Sequence, residues 1–245
     1  MDIQDKVIVV TGASYGIGEA TANLLSRKGG RLALVARSEE RIKEISAGLP
    51  LSFAVRCDMS NEDDVRAMIA RVRDHYGRID VLVNNAGQGY GAPVEQIEMR
   101  KLRALYELNV FGPLVAMQAV IPIMKAQGNG AIVNISSGTS LMYIPNVGAY
   151  SSTKRALNGL SLTARTEFAK YNITVGVVHP YITTSEFYKN ALTAGNSAPG
   201  HVPVSGNMPP PDTSEYVAEK IQEAIESGSA EIYAHDWMKS PPGKS

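Results

Sequence analysis

The chain has 245 residues, 44% of them hydrophobic and 20% charged, the proportions of a globular protein long enough to bury a full core. Lys plus Arg (24) balance Asp plus Glu (24), so no basic field favours nucleic acid or an anionic membrane. The chain does not open on a basic segment followed by an apolar core, and no run is read as approaching the roughly 20 apolar residues of a bilayer span; a cytoplasmic protein without nucleic-acid or membrane partners is expected.

In chain order, apolar runs at Val7–Val10, Leu32–Ala36, Leu51–Val55, Val81–Val83, Ala131–Ile135, Val175–Val178 and Glu231–Ala234 alternate with amphipathic segments near 17–28, 39–47, 62–76, 100–126, 150–171 and 213–226. Strands that are apolar throughout suit a sheet covered on both faces. The β-α alternation predicts one doubly wound α/β domain over residues 1–245, with about seven parallel strands and helices on both faces.

Between the first strand and first helix lies Thr11-Gly12-Ala13-Ser14-Tyr15-Gly16-Ile17-Gly18. Glycine permits a sharp turn and close approach to a pyrophosphate whose charge rests at a helix N-terminus. The second strand ends Val35-Ala36-Arg37-Ser38, without the carboxylate that accepts from the ribose 2′-hydroxyl of NAD. Arg37, helped by Ser38, instead suits the 2′-phosphate of NADP(H). Ser38 also stands where a helix N-cap would, ahead of Glu39 and Glu40. Cys57, the single cysteine, reads as a small core residue.

Ala131-Ile132-Val133-Asn134-Ile135-Ser136-Ser137 reads as a buried strand ending in hydroxyls, at the sheet end where α/β proteins place chemistry. Tyr150 and Lys154 are four apart on one helical face. A lysine cation ~4.5 Å from the phenol, at an effective dielectric of ~20, favours phenolate by roughly 3–4 kcal/mol, bringing tyrosine toward acid-base use near neutral pH. The segment 181–212 carries Gly195, Gly200, Gly206 and five prolines at 199, 203, 209, 210 and 211; so long a loop beside the site is read as a substrate lid. Tyr90, Met142, Tyr143, Tyr181, Phe187, Tyr188 and Met208 are placed near its mouth and predict an apolar pocket. His75, His179, His201 and His235 show no ligand spacing, so no metal is expected.

These motifs, together with Asp58 after the third strand, Asn84-Asn85-Ala86-Gly87 after the fourth and Asn109 in the long helix, resemble the short-chain dehydrogenase/reductase family over nearly the whole chain. The resemblance implies a Rossmann-like domain and reversible hydride transfer to a hydrophobic ketone, aldehyde or secondary alcohol. It makes Tyr150 the general acid or base, Lys154 its electrostatic partner and ribose ligand, Ser137 the group that orients the substrate oxygen, and Asn109 the residue that interrupts its helix and holds a water in a proton relay. It places Asp58 and Met59 at the adenine, Asn85, Ala86 and Gly87 along the ribose, and Val110 and Ile135 beside the cofactor. Where the family has Pro-Gly this chain has Pro180-Tyr181, a bulky side chain that would reshape the pocket or need another backbone path. Thr183 and Ser185 follow as carboxamide and phosphate contacts; a one-residue shift would substitute Ile182 and Thr184. A homo-oligomer, dimer or tetramer, is implied, though the C-terminus lacks the Gly-rich strand of many tetramers. A 3-oxoacyl thioester reductase and a non-catalytic NADP-binding regulator are the rival readings.

Overall fold

A computed structural model describes residues 1–183, 187, 191–194 and 210–240. The apolar runs become strands β1 (Val7–Thr11), β2 (Arg31–Ala36), β3 (Ser52–Arg56), β4 (Val81–Asn84), β6 (Gly130–Ile135), β7 (Ile173–His179) and β9 (Glu231–Tyr233). They form one parallel sheet in the order β3-β2-β1-β4-β6-β7-β9. Between them run helices α1 (Gly16–Arg27), α2 (Glu39–Ala47), α3 (Glu62–Tyr76), α4 (Met99–Tyr106), α5 (Gly112–Gln127), α6 (Gly148–Phe168) and α7 (Ser214–Ser227). This is the doubly wound, Rossmann-like architecture anticipated from the apolar pattern. Two-residue strands β5 (Tyr90–Gly91) and β8 (Leu192–Thr193) make a second small sheet that the sequence did not suggest.

The sheet separates two cores. One is built on Val7, Val9, Leu82 and Ile132 against Val65, Met68, Ile69, Val115, Val120 and Ala164. The other sets Ile8, Val10, Leu34, Val83 and Val133 against Leu25, Ile42, Val217, Ile221 and Ile225. Alternate residues of each strand therefore serve opposite faces, which is why the runs are apolar throughout. Local chemistry sets the helix ends. Asn61 Oδ1 accepts from Asp64 N at 3.0 Å and Gly77 closes the helix in the left-handed region, at φ 75°. Thr213 Oγ1 likewise accepts from Tyr216 N at 3.1 Å.

Two features differ from the sequence reading. Leu51 turns into the left-handed region at φ 57° and stands before β3 rather than within it. The long helix predicted over 100–126 is interrupted at Asn109, as the resemblance implies, and the interruption takes the form of a π turn over Glu107–Phe111. Its whole length, Met99–Gln127, is long and apolar enough by length and composition to cross a bilayer, contrary to the expectation above; 56% of its most apolar stretch is buried inside the protein, as in a core helix.

Chain order runs outward from β1 to β2 and β3, then jumps to β4 on the other side. That reversal opens a crevice at the carboxyl ends of the strands, where such sheets bind ligands.

Candidate active site

A cleft of about 700 Å³ occupies this crevice. One end is the loop Gly12–Gly18. Gly12 and Gly16 take φ of 67° and 58°, which L side chains rarely adopt. Asn85 fastens the loop: its Nδ2 donates to Thr11 O at 3.0 Å and Gly12 O at 3.3 Å, while Thr11 Oγ1 accepts from Asn85 N and Ala86 N at 3.0 and 3.1 Å. A methyl group at Gly18 would collide with the Gly12 carbonyl, so this glycine serves the closeness of loop and helix and does not line the cleft. Gly12, Ser14, Tyr15, Gly16 and Ile17 do line it. The cap residue of α1, Tyr15, makes no side-chain capping hydrogen bond, and the first N–H groups of a helix so begun suit an anion.

Arg37 and Ser38 leave the end of β2 exposed on the cleft wall. Ser38 holds the N-cap position of α2 but makes no capping bond, a correction to the capping reading. Glu39 pairs with Lys43 at 2.8 Å and is not a wall residue. Arg41, which the sequence reading passed over, reaches back to the loop: Nε donates to Ser14 O at 3.4 Å, a terminal nitrogen bonds Glu19 at 2.8 Å, and the guanidinium lies 5.7 Å from the Tyr15 ring centre. Asp58 sits beside the wall. Partial burial raises its carboxyl, but hydrogen bonds from Ser60 N and Oγ (3.0 and 2.7 Å) and the nearby Arg37 and Arg56 outweigh this and hold it below the usual range. Met59, Asn85, Ala86, Gly87 and Ile135 complete the floor. Val110 is buried and does not line the cleft, where Leu108 stands instead, a correction to the placement of Val110 beside the cofactor. Burial, with Asp64 and Asp58 near, pushes the Cys57 thiol up to about 12, an inert wall residue.

At the other end stand Ser137, Tyr150 and Lys154. Lys154 is 4% exposed, and its Nζ donates to Ile135 O at 2.8 Å and lies 5.8 Å from the Tyr150 ring centre; burial brings its ammonium down to about 8. Asn109 is fully buried in the π turn. Its Oδ1 accepts from Gln88 N at 2.9 Å and its Nδ2 donates to Gln88 O at 2.9 Å and Thr153 Oγ1 at 3.1 Å. A methyl group at Gly87 would touch both Asn109 Oδ1 and Lys154 Nζ, at 3.2 and 3.4 Å, so these three residues meet behind the cleft.

Ser137 opens a 3₁₀ turn, Gly138–Leu141, and its Oγ accepts from Thr139 N at 3.2 Å and Thr139 Oγ1 at 3.0 Å. With both lone pairs engaged, the hydroxyl keeps its hydrogen to donate. Ser136 is buried and bonds Ser140 Oγ at 3.3 Å, a strand-end cap. The Tyr150 ring lies 5.6 Å from that of Phe187, and Leu108, Val147, Phe187 and Ala191 give this end an apolar wall. Tyr90 is buried, with its hydroxyl accepting from Glu98 N at 2.9 Å. Tyr143 is 79% exposed and carries the Arg155 guanidinium over its ring; neither Tyr143 nor Met142 reaches the cleft wall.

Pro180, Tyr181 and Thr183 line the cleft. Tyr181 is buried, its ring packed edge-on to His235 and Trp237 (5.7 and 5.5 Å) within a C-terminal cluster that includes Met238 and Ala234. Of the loop read as a lid, Thr183 bridges to Asp212, and Leu192 and Thr193 pair with Tyr90 and Gly91. Ser185, Tyr188, His201 and Met208 lie outside the described residues. Among the described residues no group of three or more His, Cys, Asp or Glu could hold a metal ion.

The family model for short chain dehydrogenases matches residues 6–195. "Dehydrogenase/reductase SDR family member 7B" of Xenopus tropicalis is 33% identical over 91% of this chain and 75% of its own length. A short-chain dehydrogenase structure from Streptomyces avermitilis superposes with a TM-score of 0.85 at 33% identity, covering 96% of this chain and 91% of that one. A short-chain dehydrogenase/reductase from Burkholderia phymatum, in complex with NAD, has a TM-score of 0.84 over 96% and 90% of the two chains; at 23% identity it shares the fold.

Proposed function

The chain belongs to the short-chain dehydrogenase/reductase family, and from that premise we propose that it is an NADP(H)-dependent reductase of hydrophobic ketones or aldehydes, or in reverse a dehydrogenase of secondary alcohols. The observation that carries this reading is one cleft with Ser137, Tyr150 and Lys154 at one end and Arg37 and Ser38 at the other.

The residues present fit the dinucleotide. Gly12 is pressed so closely on Ala86 and Asn85 that a methyl there would come within 2.9 Å of both, which keeps the loop backbone bare for a pyrophosphate. Arg37 and Ser38 would hold the 2′-phosphate, Asp58 and Met59 the adenine, Asn85–Gly87 the adjoining ribose, and Lys154, Ile135, Pro180, Tyr181 and Thr183 the nicotinamide half. Bound there, the nicotinamide supplies or takes the hydride. The Ser137 hydroxyl donates to the carbonyl oxygen of the substrate and orients it. Tyr150 Oη delivers the proton to that oxygen in reduction and removes it in oxidation. The Lys154 ammonium favours the phenolate left behind, and its hydrogen bond to Ile135 O keeps it there. The Leu108, Val147, Phe187 and Ala191 wall selects an apolar substituent.

Exposed Phe111 lines a groove with Leu102 and Tyr106, and Met99 is exposed on the same helix as those two residues, which supports assembly as a homo-oligomer, and the balanced charge and buried single thiol suit a cytoplasmic enzyme. The test is oxidation of NADPH and NADH against aliphatic, aromatic and cyclic ketones and thioesters. Tyr150→Phe should lower kcat by about 10²-fold or more with cofactor affinity kept. Arg37→Ala should raise KM for NADPH about 10-fold and leave NADH unchanged. Tight cofactor binding without turnover of any carbonyl defeats the enzymatic reading; equal use of both cofactors defeats the NADP assignment.

A further inference from the structure

The chemistry above makes no use of His179, yet this residue is fully buried at the end of β7. Ser136 N donates to Val178 O at 2.8 Å and Gly138 N to Pro180 O at 2.7 Å, which sets His179 beside the Ser136–Ser137 step. Its ring stacks on Tyr233, centres 4.8 Å apart and planes at 10°. Nε2 meets Glu231 Oε1 at 3.0 Å, and Nδ1 faces the Ser140 hydroxyl at 3.5 Å. Ser140 Oγ donates to Ser137 O at 2.7 Å and accepts from Asn158 Nδ2 at 3.1 Å, while Arg155 Nε donates to Ser140 O at 3.0 Å.

A buried ring with a polar partner at each nitrogen costs desolvation that an apolar residue of equal volume would avoid, so its polarity calls for a role. Burial pushes the imidazole down, and the opposing pull of Glu231 and of the Ser137 backbone does not reverse this. A neutral ring donates from one nitrogen and accepts at the other. The Nε2–H donates to the Glu231 carboxylate, so Nδ1 is the acceptor and competes with Ser137 O for the one hydrogen of the Ser140 hydroxyl, which lies nearer the carbonyl (2.7 against 3.5 Å). The other ionisable groups around the pair are Tyr233, whose phenol burial and Glu231 push up to about 12, and Arg155. Tyr233 hydrogen-bonds the same carboxylate.

We propose that the Glu231–His179 pair is a positioning device for Ser137, holding through Ser140 the 3₁₀ turn that aims the Ser137 hydroxyl into the cleft, and so making the last strand of the sheet part of the catalytic framework. This rests on the reading that Ser137 orients the substrate oxygen.

His179→Phe keeps the stacked ring and removes both nitrogens; His179→Asn returns a polar group near Nδ1. With a carbonyl substrate from the panel, the Phe variant should lose about 10-fold or more in kcat while cofactor affinity stays within about two-fold, and the Asn variant should regain part of the loss. A kcat for the Phe variant within about two-fold of the parent, or an equal loss in both variants, overturns the proposal. Should the Phe variant not fold, ¹³C-histidine spectra of the unaltered sequence decide. His179 should hold a single Nε2–H tautomer from about pH 5.5 to 8.5 and shift on Ser140→Ala; ordinary titration, or indifference to Ser140→Ala, overturns it. The spectra need no turnover. Activity that survives Ser137→Ala defeats the functional reading on its own, so the two failures are told apart.

Discussion

Replacing Lys154 by methionine tests whether its charge is held at the expense of the fold. The side chain is 4% exposed and burial moves its ammonium from 10.5 to about 8, worth about 3 kcal/mol at neutral pH. Methionine removes that penalty and keeps the volume, but it loses the charge-assisted bond to Ile135 O, worth about 1.5–3 kcal/mol. The net gain at pH 7 is therefore about 1 kcal/mol. The sign of the pH dependence is the sharper test. Below pH 8 both folded and unfolded chains hold the proton and the penalty is complete; between 8 and 10.5 the folded chain releases it first, so the parent gains stability as pH rises. At pH 9.5 the parent should have recovered about 2 kcal/mol relative to the variant. Urea unfolding of both proteins without cofactor at pH 7.0 and 9.5 measures this. A stability difference that is the same at the two pH values refutes the buried-ammonium argument, whatever becomes of activity.

Gly18→Ala should push the loop off α1, because the new methyl meets the Gly12 carbonyl; dinucleotide affinity by calorimetry should fall about 10-fold with stability down by about 1–3 kcal/mol, and unchanged affinity would show that the loop has room. Tyr181→Ala should destabilise by about 3 kcal/mol in urea unfolding, since the buried ring fills the cluster with His235 and Trp237. Because Tyr181 also lines the cleft, the variant's cofactor KM should rise by about three-fold; a large rise in KM with little loss of stability would show that the ring serves the cofactor rather than the cluster.

The strand and helix pattern was readable because both faces of the sheet are covered, which writes each strand as an unbroken apolar run. The same pattern was blind to β5 and β8, whose two-residue pairing leaves no period to detect. Ser137 was separable from Ser136 in the sequence only through family spacing; the structure separates them by burial and by the Thr139 bonds. The family resemblance placed an interruption of the long helix at Asn109, where the π turn stands, but not that Leu108 rather than Val110 would line the cleft. Tyr181 could be recognised as a departure, but where its ring goes depends on Trp237 and Met238, more than fifty positions on. His179 looked like a scattered histidine for the same reason. Its partners Glu231, Ser140 and Ser137 are distant in sequence and converge only when β6, β7 and β9 are laid side by side.

The C-terminal cluster also gives the molecule an optical label. Trp237 is the single tryptophan of the chain, stacked on His235 at 6.2 Å and edge-on to Tyr181, which lines the cleft. All indole emission therefore originates at one point, next to the backbone that borders the nicotinamide half of the proposed site, and its Nε1 is buried without a hydrogen-bond partner among the described residues. Shifts in that emission can be followed in the native sequence, with no probe introduced, as ligands enter the adjoining cleft.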